Sequence, residues 1–200
     1  MRFVGLNEIG REMVSQMSDL ESNDKGKLVN GDLLDVFEES DWKERNFFVN
    51  EINLSGFYDH CASVSREACF IFFGKSIDIE LIQGILDFKG RVLLVGAGNL
   101  NAKEIEFISR NGIRMIGLNK FVENIEEASD SVMEFASGKE LVLGFDSSIL
   151  DDFEFGGLSG RQAVYILSRM SLMNHLKGVL FSGVDEESLE VMTKLIIELF

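Results

Sequence analysis

The sequence contains no proline at all, and it has only two cysteines and two histidines. The absence of proline removes one of the residues that fix the backbone in turns. Two cysteines cannot build the disulfide framework of a small secreted protein, so we expect the chain to work in the reducing cytoplasm. The two histidines, His60 and His175, leave almost no material for imidazole chemistry.

Long apolar runs and positive charge are also scarce. No apolar stretch approaches the roughly 18 residues that cross a bilayer, and the first residues, MRFVGLNEIGREM, lack the apolar core of a signal peptide. We therefore expect neither a membrane span nor secretion. With 19 basic against 34 acidic residues, the net charge is −15. Phosphate backbones and anionic lipids repel such a chain, so neither a nucleic acid nor a membrane surface is an expected partner.

The chain does contain enough apolar material for a full hydrophobic core. It has 200 residues, of which 46% are hydrophobic, and we expect a single domain over residues 1–200. Short apolar runs alternate with longer helical patterns, and this is the order of βαβ units around a sheet that is buried on both faces. The sequence therefore predicts an α/β fold, a three-layer αβα sandwich around a mainly parallel sheet of six to eight strands.

The alternation also predicts where the elements lie. The predicted strands are residues 47–49, 68–73, 91–95, 113–116, 141–145 and 178–181, and the predicted helices are residues 54–66, 79–88, 102–110, 122–136, 159–170 and 187–200. Two helices begin with the spacing of a capping box, Asn101 with Glu104 and Ser159 with Gln162. The polar residues 18–31 predict a loop.

Ligands bind at the carboxyl ends of the strands in such sheets, so the segments after the strands are the candidate sites. Gly96-Ala97-Gly98 follows a strand and opens a helix, as in half of a dinucleotide-binding motif. Asn101 replaces the third glycine, and an ordinary tight turn is the alternative. Residues 146–152 form an acidic loop that suits a cation or acid–base chemistry, or is a solvated loop of an acidic protein.

A histidine and a cysteine are adjacent in the sequence at His60 and Cys61. Adjacent side chains on a helix point about 100° apart, so these two do not face one another as a nucleophile and its base would. We expect a surface or core histidine and a buried thiol instead.

Two C-terminal segments carry a family resemblance. They are residues 143–151, with the sequence LGFDSSILD, and residues 156–167, with the sequence GGLSGRQAVYIL. They resemble the arginase/agmatinase (ureohydrolase) family, whose members carry S-x-D-x-D-x-x-D-P and then G-G-L-[ST]-x-R-E before a helix. The resemblance covers roughly residues 45–200 in order and spacing, and it implies an arginase-like α/β fold.

The same resemblance implies a depleted metal site. Active members of the family hold two manganese ions through a histidine in G-G-D-H-S, three ligands in D-A-H-x-D and two in D-x-D. Here the ligand positions of those motifs carry Ile52, Gly74, Ser76, Asp78, Asp146 and Ser148, while Asp151 matches the outer aspartate of the third motif. The resemblance therefore leaves a residual metal site of Asp78, Asp146 and Asp151, which would bind a cation weakly.

One alternative to this alignment places His60 at the histidine of the first motif, but it shortens the following helix.

Two further departures from the family pattern accompany the lost ligands. The chain between Asp78 and residue 91 has room for one short helix only, where active relatives carry a longer segment that lines the substrate site. In the closing strand, Leu180 and Gly183 stand where the family has an aspartate and the glutamate that binds the guanidinium.

The resemblance implies a divergent arginase-family protein without hydrolase activity, with no catalytic residues and no cofactor. Its role would be binding, scaffolding or regulation, as a homo-oligomer or with an active arginase-family relative. The alternative is a Mn²⁺-dependent ureohydrolase, a C–N hydrolase that cleaves a guanidino compound of the arginine or agmatine type. A third hypothesis is a nucleotide-binding protein that uses Gly96 and Gly98.

The arginase-like alignment also predicts that Asp78 and Asp146 lie close together. Two such carboxylates repel one another without a cation, and a proton, water or the Lys75 ammonium would relieve the repulsion. In a metal-free protein, Asp146→Asn should then be neutral or mildly stabilising.

Overall fold

An eight-stranded parallel sheet organises the chain, in the strand order β2-β1-β3-β8-β7-β4-β5-β6. The computed structural model describes residues 2–5, 8–16, 27–30, 46–49, 58, 61–62, 67–98, 100–150 and 156–199. The strands are β1 (Arg2–Gly5), β2 (Lys27–Asn30), β3 (Asn46–Val49), β4 (Cys69–Phe73), β5 (Arg91–Val95), β6 (Arg114–Ile116), β7 (Leu141–Asp146) and β8 (Leu176–Ser182). Every pair of neighbouring strands is parallel. The predicted parallel sheet of six to eight strands is confirmed.

Helices connect the strands. They are α1 (Glu8–Gln16), α2 (Ile79–Asp87), α3 (Ala102–Asn111), α4 (Leu118–Glu123), α5 (Ile125–Ala136), α6 (Gly160–Ser171) and α7 (Leu189–Leu199). Both predicted capping boxes are present, at Asn101 with Glu104 and at Ser159 with Gln162. None of the helices within the described ranges is long and apolar enough to cross a bilayer.

Two hydrophobic cores lie on the opposite faces of the sheet, because alternate strand residues point to opposite sides. On one face, Ile71, Leu93 and Leu143 pack with apolar side chains of α5, α6 and α7. On the other, Phe70 and Val92 pack with apolar side chains of α2 and α3. The result is the predicted three-layer αβα arrangement.

The strand order changes direction between β4 and β7. From β4 the chain proceeds through β5 to the edge strand β6, whereas from β7 it proceeds the other way to β8. Loops that leave two such neighbouring strands in opposite directions leave a crevice between them at the carboxyl edge of the sheet, and this is where α/β proteins bind ligands.

Two element predictions differ from the structure, and a third is largely untested. The single helix expected over residues 122–136 is two helices, since Asn124 is extended at φ −154° and its side chain accepts a hydrogen bond from the Glu127 N–H to begin α5. Lys27–Asn30 is a strand paired with β1 inside a segment predicted as a loop, because backbone pairing outweighs its polar composition. The helix expected over residues 54–66 lies largely outside the described residues.

Candidate functional site

A cavity of about 280 Å³ opens at the carboxyl edge of the sheet, at the change of direction between β4 and β7. Its lining combines apolar side chains, including Ile77, Leu81 and Leu94, with carboxylates and hydroxyls. The residues that line it are Tyr58, Phe72, Phe73, Gly74, Ser76, Ile77, Asp78, Leu81, Ile82, Leu94, Gly144, Asp146 and Ser182. Asp78 and Asp146, which the sequence predicts as neighbours, therefore both face one cavity.

Asp146 is the last residue of β7, and hydrogen bonds hold both of its carboxylate oxygens. The Ser148 backbone N–H donates to Oδ1 at 3.0 Å, and the Ser182 hydroxyl donates to Oδ2 at 2.8 Å. Gly183, with a φ of +67°, brings its backbone so close that a Cβ there would lie 2.8 Å from Oδ2. Neutral donors from the segment after β7 and from the end of β8 therefore orient the Asp146 carboxylate.

Asp78 begins α2 instead of pointing both of its oxygens into the cavity. Its Oδ1 accepts a hydrogen bond from the Leu81 N–H at 3.1 Å, which is the role of an N-cap residue. The loop before Asp78 contacts the segment that follows Asp146, since the Lys75 N–H donates a hydrogen bond to the Ser148 hydroxyl at 3.4 Å. Ser148 thus joins the two loops.

Tyr58 closes the inner end of the cavity. Its side chain is 2% exposed and packs edge-on against Phe72 with the ring centroids 4.7 Å apart. A Cβ on Gly144 would lie 2.2 Å from the Tyr58 hydroxyl, so the glycine in β7 makes room for it. Burial raises the pKa of Tyr58 well above its ordinary value, and the nearby Cys61 thiol and Asp146 carboxylate raise it further. The phenol is therefore a neutral hydrogen-bonding group at physiological pH.

The predicted Cys61 and Cys69 thiols are buried and not joined in a disulfide. Burial raises the pKa of both, so neither is an activated nucleophile. The side chain of His60 lies outside the described residues. His175 sits at the opposite edge of the sheet, where its carbonyl accepts a hydrogen bond from the N–H of Leu141 at the start of β7.

The residues that the structure describes do not fit a binuclear manganese centre. Among them, no three His, Cys, Asp or Glu side chains are grouped as a metal site. Asp146 already accepts a hydrogen bond on each oxygen, and Asp78 caps a helix. Asp151, the third predicted ligand, lies outside the described residues.

The glycines at the end of β5 have a packing explanation. Gly96 has a φ of +84°, and a Cβ there would lie 2.2 Å from Cδ1 of Ile149. The N–H of Gly98 donates to the carbonyl of Lys75 at 3.1 Å, so the turn rests on the loop that leads to Asp78. This contact accounts for the Gly-Ala-Gly segment as a tight turn.

Sequence reasoning placed residues 182–185 among the segments after the strands where a ligand is expected, but it missed Tyr58 and the contacts of Ser182 and Gly183 with Asp146. A glycine inside the apolar strand LVLGF was the available signal, since such a glycine often marks a close approach by another group. No sequence motif marks Ser182 at the end of its buried strand. Its hydrogen bond to Asp146 joins residues that are 36 positions apart, so no local pattern predicts it.

No protein-family model matches the chain, and no curated protein matches it either. Solved structures do match. The arginase of Bacillus cereus is 14% identical with a TM-score of 0.78, and the alignment covers 100% of this chain and 96% of that one. The cold-adapted arginase of the yeast Glaciozyma antarctica is 14% identical with a TM-score of 0.79, over 100% and 93% of the two chains.

A third solved structure, of an enzyme that is not named as an arginase, also has a similar backbone. Proclavaminate amidino hydrolase of Streptomyces clavuligerus is 12% identical with a TM-score of 0.68, over 88% of this chain and 72% of that one. At these identities, the similarity shows that the chains share the same backbone fold, and it does not show that they share the same chemistry. The chain has the arginase fold.

Proposed function

We propose that this arginase-fold chain is a binding protein without hydrolase activity, and that its ligand site is the cavity at the carboxyl edge. The observation that carries the proposal is the shortage of ligands around Asp146. Within the described residues, Asp78 supplies the other carboxylate of the cavity, and no three His, Cys, Asp or Glu side chains are grouped as a metal site.

The hydrolytic reaction needs more than a retained carboxylate. A water becomes a nucleophile at neutral pH when cationic charge lowers its pKa, and two metal ions about 3.5 Å apart need carboxylates that bridge them. Ser148 is engaged with Lys75 and Asp146 and has only a hydroxyl to offer. We therefore assign no catalytic residue and no resident cofactor to this site.

What the cavity retains is the character of a small-molecule site. Ile77, Leu81 and Leu94 contribute apolar surface to the cavity, and the hydrogen-bonded pair of Asp146 and Ser182 contributes polar groups. Apolar walls with a few fixed polar groups are typical of ligand pockets. Such a site binds by shape and hydrogen bonding, and binding supports a sensing or regulatory role.

One observation favours a second candidate, the Mn²⁺-dependent ureohydrolase that cleaves a guanidino compound of the arginine or agmatine type. Asp78 and Asp146 line the same cavity, and the solved structures that the chain resembles are named as arginases. This candidate requires ligands beyond the two carboxylates.

A urea-release assay separates the two candidates. The purified chain is incubated with Mn²⁺ and either arginine or agmatine, beside an active arginase as the positive control. The proposal predicts no urea above the buffer background. Steady urea release that is lost in Asp146→Asn would establish the ureohydrolase and overturn the proposal.

For the partner, we propose a second copy of this chain, with an active arginase-fold enzyme as the alternative. For its compartment we propose the cytoplasm, because two buried thiols without a disulfide suit a reducing environment.

A further inference from the structure

The size and the lining of the carboxyl-edge cavity limit what it can bind. Its volume is about 280 Å³. A water molecule occupies about 30 Å³, so the cavity has room for a ligand of roughly nine non-hydrogen atoms. Ile77, Leu81 and Leu94 are among the apolar side chains that line it. A ligand that fills this space therefore has a short apolar body.

The charges that line the cavity are negative. Asp78 and Asp146 contribute carboxylates, and no lysine, arginine or histidine of the described part of the chain joins them in the lining. Lys75 belongs to the same loop as Asp78 but is not a lining residue. Since carboxylates repel anions and attract cations, the cavity favours a ligand with a cationic head group and no acidic group.

Protein hydrogen bonds already use part of each carboxylate. Oδ1 of Asp78 accepts from the Leu81 N–H, and no other described residue donates to Asp78. Asp146 accepts one hydrogen bond on each oxygen, from the Ser148 N–H and the Ser182 hydroxyl. An ionised carboxylate has about four lone-pair sites, so both side chains can accept further hydrogen bonds. Neither of them, however, has two oxygens that are free of protein donors.

This pattern favours an ammonium head group over a guanidinium. A guanidinium is planar, and its best geometry pairs two parallel N–H groups with both oxygens of one carboxylate. The protein donors at Asp78 and Asp146 compete with that geometry. An ammonium has three donors that point in different directions, so it needs only single oxygens on separate groups. The two carboxylates and the hydroxyl of Ser182 provide such oxygens in one cavity.

We propose that the carboxyl-edge cavity binds a primary alkylammonium ion, an aliphatic amine of up to about eight carbons that carries no acidic group. The ammonium donates to Asp146, Asp78 adds to the attraction, and the alkyl chain lies against Ile77, Leu81 and Leu94. This inference names the ligand class of the proposed binding function and rests on it. It requires neither a metal ion nor a reaction.

A series of head groups tests the ligand class. Hexylammonium, pentylguanidinium, 1-hexanol and hexanoate each combine a short alkyl chain with a different head group, and NMR titration measures their binding to the full chain at low salt. Hexylammonium should bind with a dissociation constant below about 1 mM. It should bind at least about tenfold more tightly than each of the other three, because only an ammonium matches the charge and the separate acceptors. Shortening hexylammonium to propylammonium should weaken binding severalfold per methylene.

Two variants locate the bound amine. Asp146→Asn should weaken hexylammonium binding at least about tenfold, because it removes a charged acceptor. Asp78→Asn keeps the helix cap and should weaken binding by a smaller factor. Glu106→Gln is the matched control, since it removes one negative charge from the exposed surface of α3, outside the cavity, and should leave binding unchanged. If Asp146→Asn does not fold, Asp78→Asn and the head-group series decide.

Three outcomes overturn the inference. They are hexylammonium binding weaker than about 1 mM, equal or tighter binding of 1-hexanol or pentylguanidinium, and hexylammonium binding that neither aspartate variant weakens. The urea-release assay keeps this inference separate from the proposed function. A chain that releases no urea and binds no amine loses only the ligand class, whereas urea release overturns the proposed function itself.

Discussion

At the scale of the residue, the site is organised by how one carboxylate is held. Sequence reasoning treated Asp146 as a charge that needs a cation, a proton or Lys75 nearby. The structure instead gives it the Ser148 N–H and the Ser182 hydroxyl as donors. These bonds fix the orientation of the carboxylate, because each of its oxygens is tied to a different donor.

This changes the expected effect of Asp146→Asn. Loss of the charge weakens two hydrogen bonds, and the amide nitrogen must face a donor, so we expect a loss of about 1 kcal/mol of unfolding free energy. Urea unfolding in the presence of a chelator measures it. Asp78→Asn is the control, since asparagine caps a helix as well as aspartate does and should change stability by only a few tenths of a kcal/mol. A more stable Asp146→Asn protein would contradict this account.

The close approach of Gly183 to Asp146 gives a second prediction. Gly183→Ala combines a left-handed backbone at φ +67° with a Cβ 2.8 Å from Oδ2 of Asp146. Gly112→Ala has the same backbone problem at φ +62° but nothing within 4 Å. We expect about 1 kcal/mol of lost unfolding free energy at Gly112 and at least about 1 kcal/mol more at Gly183. Equal losses in the two denaturation curves would show that the contact with Asp146 does not matter.

The buried phenol predicts a dependence on pH. Burial raises the pKa of Tyr58 in the folded protein, with Cys61 and Asp146 adding to the shift. The stability that this provides is fully present below the unfolded pKa of about 10, and it is lost as the pH rises towards the folded value. In a Tyr165→Phe background, which leaves Tyr58 as the one tyrosine, tyrosinate absorbance should appear only as the protein unfolds in alkali. Ionisation at pH 10 with the circular dichroism unchanged would refute this.

At the scale of the element, strongly apolar strands and the helix starts at Asn101 and Ser159 were predictable, whereas the break at Asn124 was missed. β4, β5 and β7 are largely apolar runs buried on both faces, so composition alone identifies them. The break did have a sequence signal, because Asn124 and Glu127 have the same spacing as Asn101 and Glu104. Its cause is one side-chain hydrogen bond to the Glu127 N–H.

The break between α4 and α5 is itself testable. Asn124→Ala removes the N-cap of α5 and should lower the unfolding free energy by about 1 kcal/mol, as other lost caps do. Asn124→Asp keeps an oxygen acceptor and should stay within a few tenths of a kcal/mol of the wild type. Thermal denaturation of both variants measures the difference. An unaffected alanine variant would mean that residues 122–136 can form one helix, as the sequence pattern suggested.

At the scale of the whole molecule, the chain order predicted the fold and the position of the site but not its inner chemistry. Alternating strands and helices imply a parallel sheet, and a parallel sheet implies a site at its carboxyl edge. Asp78 and Asp146 could be named from the sequence because the resemblance to the ureohydrolase motifs aligns them with metal ligands of that family. Tyr58 and Ser182 reach Asp146 only through the tertiary structure, so no local pattern identifies them.

Manganese binding tests the central claim most directly, namely that too few ligands surround Asp146 to hold Mn²⁺. Calorimetric titration of the chelator-treated protein with Mn²⁺ is carried out on the wild type and on Asp146→Asn. The account predicts that neither protein binds Mn²⁺ with a dissociation constant tighter than about 10 μM. Tighter binding by the wild type that disappears in Asp146→Asn would show that the carboxylate still ligates a metal, and would contradict the account.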